Sequence, residues 1–262
     1  MKHILNYGLM AAMVAAVTFT SCSKDNEEDE IELSILPKKV TRIESSNQVT
    51  YEFDSDGRIF KTTYDFYSTT YQYTNHYIIV SYATTDINFS TIVKFEPHNG
   101  WITSVKYLES IDDGVYKETN KMKYSYSADG YLSTMKSTIY GSVSNSNYCV
   151  ENGVVKSISG DGDGIVISST FTYNSKIPNN LNINLWNILY NTEPLFGDKL
   201  GKRFVQLPTS YTAVGKDGEE EEESMSCDFS YEYDGDYLKK ITSILNYDGG
   251  TETTTYEIFY EE

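Results

Sequence analysis

"VTYEFDSDGRIFKTTY", residues 49 to 64, spells out a hairpin in residue types. Val49, Tyr51 and Phe53 alternate with polar residues, so at the strand period of two one face is apolar and the other wet. Asp56 and Gly57 supply the positive-φ pair that a tight tip needs. The same frame returns as "IVKFEPHNGWITSVKY" (92 to 107), "MKYSYSADGYLSTMKS" (122 to 137), "NYCVENGVVKSIS" (147 to 159) and "FSYEYDGDYLKKITSI" (229 to 244). The last copy is shifted by one, with Asp236 between Gly235 and Tyr237.

The arms before each tip are clean: Met122, Tyr124 and Tyr126 share one parity, as do Phe229, Tyr231 and Tyr233. The arms after it are not. Ile59 beside Phe60, or Ile241 with Ile244, put apolar groups on both parities, which implies either β-bulges or a sheet covered on both faces. A lone hairpin is marginal in water, so the copies must lean on one another. The expected fold is all-β, an antiparallel meander of repeated hairpins forming one large curved or half-barrel sheet over residues 38–262.

Composition agrees, with 24 Tyr and 5 Pro among 262 residues. A segment at about 174 to 210, "NSKIPNNLNINLWNILYNTEPLFGDKLGKRFVQLPTS", breaks the pattern and is expected to be a packed loop with a short helix near 185–190. "GKDGEEEEES" (215 to 224) is expected to be a solvated loop between strands.

At the other end of the chain, residues 4 to 22 read "ILNYGLMAAMVAAVTFTSC", an apolar run closing on small residues. Such a segment is a secretory leader, so residues 1–21 are expected to be removed. "FTSC" resembles a bacterial lipobox with Phe19 at the usual Leu position, which makes Cys22 the expected lipidation site. Several acyl chains, at about 0.8 kcal/mol per buried methylene, would hold the protein to a bilayer. Residues 22–37 then form an acidic tether, "CSKDNEEDEIELSILP", expected to be disordered. Its start is similar to the signal that sends Bacteroidetes lipoproteins to the cell surface.

Without residues 1–21 the chain carries 20 basic against 38 acidic residues, a net charge of −18 over 241 residues. That field disfavours nucleic acid and anionic lipid as partners. The oxidising compartment permits a disulfide between Cys149 and Cys227, although spacing alone does not show them to be neighbours.

Taken in order, the Gly-bearing hairpins, the "YNSKIPNNLNINLWNILY" insert, "GKRFVQLPTSY" and the closing "FSYEYDGDYLKKITSILNYDGG" resemble a Bacteroidetes lipoprotein family of unknown function. The resemblance runs from about residue 38 to the end. It implies an open, half-barrel or porin-like sheet whose hairpins are similar to the tyrosine-aspartate repeats of secreted shells. It brings no catalytic residues.

Chemistry-bearing motifs are few. His76 and His98 lack partners at zinc or triad spacing and read as turn and strand-end residues. Asp161 and Asp163 in "DGDG" open like a calcium loop but lack its closing Glu, so turn chemistry explains them and calcium is a weak candidate. No catalytic residue, resident metal or cofactor emerges. Trp101, Tyr131 and Tyr237 each follow a tip, where they either pack on the next hairpin or offer rings to a glycan or protein ligand. The sequence therefore points to a lipid-anchored outer-membrane protein, at the periplasmic or cell-surface face, with a binding or scaffolding role. The alternative is a polysaccharide hydrolase with paired carboxylates in the sheet's concavity.

Overall fold

The computed structural model describes residues 37–44, 47–84, 88–98, 100–112, 115–162, 164–173, 177–179, 200–202, 204–217 and 223–260. The leader, most of the tether and the expected helix near 185–190 lie outside them. The strands are β1 (Lys39–Glu44), β2 (Asn47–Phe53), β3 (Ile59–Thr63), β4 (Tyr67–Tyr73), β5 (Tyr77–Thr84), β6 (Asn88–His98), β7 (Trp101–Asp112) and β8 (Val115–Tyr126). They continue with β9 (Leu132–Ile139), β10 (Ser142–Glu151), β11 (Val154–Gly162), β12 (Ile165–Thr172), β13 (Ser210–Asp217), β14 (Glu223–Asp234), β15 (Tyr237–Tyr247) and β16 (Gly250–Phe259). No helix occurs among the described residues.

Every strand pairs antiparallel with its neighbours in sequence, and β1 closes on β16 from Lys39 opposite Phe259 to Glu44 opposite Thr254. The sheet is therefore a complete barrel, which corrects the open or half-barrel expectation. The physical reason is closure: an open meander leaves two rows of unpaired N–H and C=O groups, and enough twisted strands bring those rows together.

The uneven start of the outgoing arms has one cause, whereas Ile244 faces outward, exposed, with no register shift between it and Ile241. All five hairpins carry a register shift just before the tip, at Glu52/Phe53, Glu96/Pro97, Ser125/Tyr126, Cys149/Val150 and Glu232/Tyr233. The extra residue of each bulge lies on the outgoing arm, so side chains three apart face the same way. Ile59 with Thr62, Ile102 with Val105, Leu132 with Met135, Val155 with Ile158, and Leu238 with Ile241 are all buried.

The buried parity faces the barrel interior. Toward the tips it is apolar and aromatic, with Phe53, Ile78, Tyr124, Phe171 and Phe229 among the buried side chains. Toward the opposite end the inward positions become polar, with Thr69, Ser144 and Ser146 buried and Ser137 bonded to Ser144 at 2.6 Å. Arg42, also inward, pairs with Glu44. The outward parity is mainly Thr, Ser, Asn, Lys and Glu: Thr50 and Glu52 on β2, Thr70 and Gln72 on β4, Lys121 and Lys123 on β8, Asn145 and Asn147 on β10, Asp228 and Ser230 on β14. A membrane-spanning barrel has the reverse arrangement, an apolar outer band around a polar lumen.

Candidate functional site

The five tips all join an even strand to the odd strand after it, so all lie at one end of the barrel. The chain also enters and leaves there, since Lys38 N donates to Phe259 O and Phe53 N donates to Lys38 O. The described residues of the pattern-breaking segment between β12 and β13, 177–179, 200–202 and 204–209, lie at the same end. Its backbone docks on two neighbouring tips: Lys202 N donates to Gly130 O at 2.8 Å and Val205 N to Gly153 O at 2.9 Å. A short return bridge joins Pro178 to Gln206, and Leu200, Phe204 and Leu207 are buried in the apolar core. This strap closes part of the tip end.

Gly130 explains why the tip must be glycine. It has φ of +87°, and a Cβ there would run into the Trp101 ring. Trp101 packs tilted on Tyr126, centroids 5.0 Å apart, and its buried Nε1 has no hydrogen-bond partner. Tyr131 stacks on Phe204 at 6.2 Å, with Lys202 Nζ 5.9 Å from its ring. Burial, with the nearby Asp129 carboxylate, raises the Tyr131 phenol above its usual range. Tyr237 meets Tyr260 edge-on at 5.3 Å and remains exposed. The three rings thus fall at one end, where Trp101 and Tyr237 pack on the strand that follows their own hairpin and Tyr131 packs on the strap, with Tyr237 the most open.

A recurrent contact that the sequence did not single out lies beside these rings. Tyr73 Oη donates to Ile59 O at 2.7 Å, Tyr126 Oη to Ile102 O at 2.5 Å, and Tyr260 Oη to Leu238 O at 2.9 Å. Each acceptor is the first aliphatic residue after a tip, where the bulge interrupts the ladder and leaves a carbonyl in need of a donor. Tyr231 Oη makes the equivalent bond to Pro208 O of the strap, at 2.6 Å. The visible signal was a Tyr at the end of the arm that follows each of these odd strands. Burial raises the phenols of Tyr126, Tyr231 and Tyr260.

The remaining candidates are dispersed. Asp161 points outward from β11 and accepts from Asn145 Nδ2 at 2.8 Å; Asp163 lies outside the described residues. Among the described residues no group of three or more His, Cys, Asp or Glu has a metal-holding arrangement. His76 and His98 are exposed in neighbouring connections at the tip end. Cys149 points outward and is exposed, whereas Cys227 is buried inside the barrel; both are free thiols. The disulfide the compartment permits is not formed, because the two lie on opposite faces of the wall. Among the described residues the inward positions beneath the tips include Phe53, Ile59, Ile78 and Phe95, while the inward acid Glu44 lies at the opposite end, paired with Arg42; nothing in this arrangement supports the hydrolase reading.

The molecule is thus a sixteen-stranded up-and-down barrel, strapped and packed at one end. It is similar in fold to a porin-like protein from Bacteroides vulgatus, with TM-score 0.59 and 14% identity, covering 87% of this chain and 99% of that one. A porin-like protein from Bacteroides uniformis gives TM-score 0.59 and 17% identity, covering 85% of this chain and 96% of that one. At these identities the likeness is one of fold. No family model matches the sequence, and no curated protein matches it significantly.

Proposed function

We propose that this chain is a lipid-anchored barrel of the outer membrane, held at the envelope by Cys22 and standing in water as a binding or scaffolding module. The observation that carries the reading is the polar outward parity of the wall: lipid-facing Lys121, Lys123 or Asp228 would each cost several kcal/mol near a bilayer midplane. An acyl anchor resolves the apparent conflict between a porin-like fold and a wall suited to water. The tether joins the barrel at the tip end, which puts the strap and tips on the membrane-proximal side.

The test is fractionation. Labelled palmitate should appear on the protein and be lost in Cys22→Ala. A specific protease site inserted after Glu30 should, once cut, release the folded barrel into the supernatant. A barrel that stays in the membrane after the cut spans it, and the reading fails.

A further inference from the structure

The acidic net charge conceals a basic line on the outer wall. Register sets Lys94 of β6 directly opposite Lys106 of β7, and Lys106 directly opposite Lys121 of β8. One rung nearer the tips, Lys123 of β8 lies opposite Lys136 of β9. All five alternate with inward residues such as Val93, Val105, Met122 and Met135, so all five project outward. Among the described side chains of β6 to β9 the outward acids are Glu96 and Glu118, and Glu118 is bonded to Lys106 at 3.1 Å.

Like charges directly opposite one another across strands destabilise a sheet, so this line opposes folding rather than helping it. Its neighbours are about 5 Å apart, the spacing of adjacent strands. The acidic remainder of the molecule does not cancel it, because at physiological ionic strength a charge is screened within about 8 Å.

We propose that the line of Lys94, Lys106, Lys121, Lys123 and Lys136 binds a linear polysaccharide bearing carboxylates, such as a polyuronate. The cations form a narrow track across four strands, which fits a chain with an acidic group on successive sugars better than a flat surface. They are lysines throughout, point charges that attract an anion without imposing a fixed fork geometry on it. The protein's expected address outside the cell leaves glycans as the accessible polyanion. Ile79, Ile92 and Leu108, successive across β5 to β7 on the adjoining outward rung, give the track an apolar margin for sugar ring faces.

This inference rests on the water-facing wall argued above. The test uses the purified full chain with polygalacturonate, the same polymer methyl-esterified, and phosphatidylglycerol vesicles. Binding is expected to polygalacturonate alone and to weaken about tenfold or more between low and physiological salt, as screening of several ion pairs requires. The variant K106Q/K121Q/K123Q should lose about tenfold or more in affinity while K216Q/K240Q, on the wall at β13 and β15, binds as the parent does. The triple variant should fold and melt no lower than the parent, since it relieves like charges set opposite one another and removes no packed group, and K216Q/K240Q should stay folded. Equal binding to the esterified polymer, an unaffected triple variant, or capture by vesicles instead of polymer overturns the proposal. A wall embedded in lipid would show itself separately, by retention in the membrane after the tether is cut.

Discussion

The hydroxyl of Tyr260 donates to the carbonyl oxygen of Leu238 at 2.9 Å, tying the end of the last strand to the bulged start of the one before it. Tyr73 and Ile59 repeat the relationship halfway round the barrel's first quarter, at 2.7 Å. The carbonyl served is one that a bulge has taken out of the ladder. Tyr73→Phe and Tyr260→Phe keep the ring and remove the donor, so each should lower stability by about 1 kcal/mol. Urea denaturation should show a lower midpoint at unchanged slope; an unshifted midpoint would mean that water serves these carbonyls equally well.

Bulges fix which way the outgoing arms face. Ser133 is the additional residue between Leu132 and Met135, so its deletion would leave those two apolar residues two apart, both still inward, and convert the bulge into a regular ladder. We expect the deletion variant to keep a cooperative thermal transition, and Ser133→Ala to stay within about 0.5 kcal/mol of the parent. Loss of the transition on deletion would show that the bulge itself, and not only the inward pattern, is needed for folding.

The strap is held by one ring and two glycines. Phe204, 2% exposed, should cost about 3 kcal/mol on replacement by Ala. Gly130→Ala forces a side chain into positive φ against Trp101 and should cost roughly 2 kcal/mol or more. Both changes should speed proteolytic nicking between residues 174 and 209 relative to the rest of the chain. Unaltered nicking rates would separate the strap from the core beneath it.

The two thiols report the polarity of the wall. A water-soluble maleimide should modify Cys149 in the native protein and reach Cys227 only after unfolding. Burial, with Asp228 adding to it, pushes the Cys227 thiol from 9.0 up to about 12. Below pH 9 the thiol is protonated in both states; between about 9 and 12 the unfolded chain releases a proton that the folded chain keeps. Stability is therefore full below pH 9 and falls as pH rises through that window, an effect Cys227→Ala should reduce. Stability that rises through the same window would contradict an interior position for this sulfur.

Much of the local structure was legible. The alternation of Val49, Tyr51 and Phe53 and the Gly-bearing tips mark their hairpins correctly because period and turn chemistry are properties of neighbouring residues. The arms after the tips were ambiguous for a reason the structure makes plain: Leu132 and Met135 three apart are equally compatible with a bulge and with a two-sided core. The three candidate rings lie at the tip end, and Trp101 and Tyr131 pack on Tyr126 and Phe204. The tyrosine bonds to bulged carbonyls escaped because donor and acceptor lie as far apart in sequence as Tyr126 and Ile102.

What the sequence settles by itself is the strand grammar, the tips and the expectation of an exported, acylated chain, all written in short windows. Closure of β1 on β16 belongs to the tertiary structure alone, because it joins residues near opposite ends of the chain and depends on twist summed over every strand between them. The same holds for the lysine track: residues 94, 106, 121, 123 and 136 are scattered among acids in the sequence, and only the inter-strand hydrogen-bond register sets them side by side.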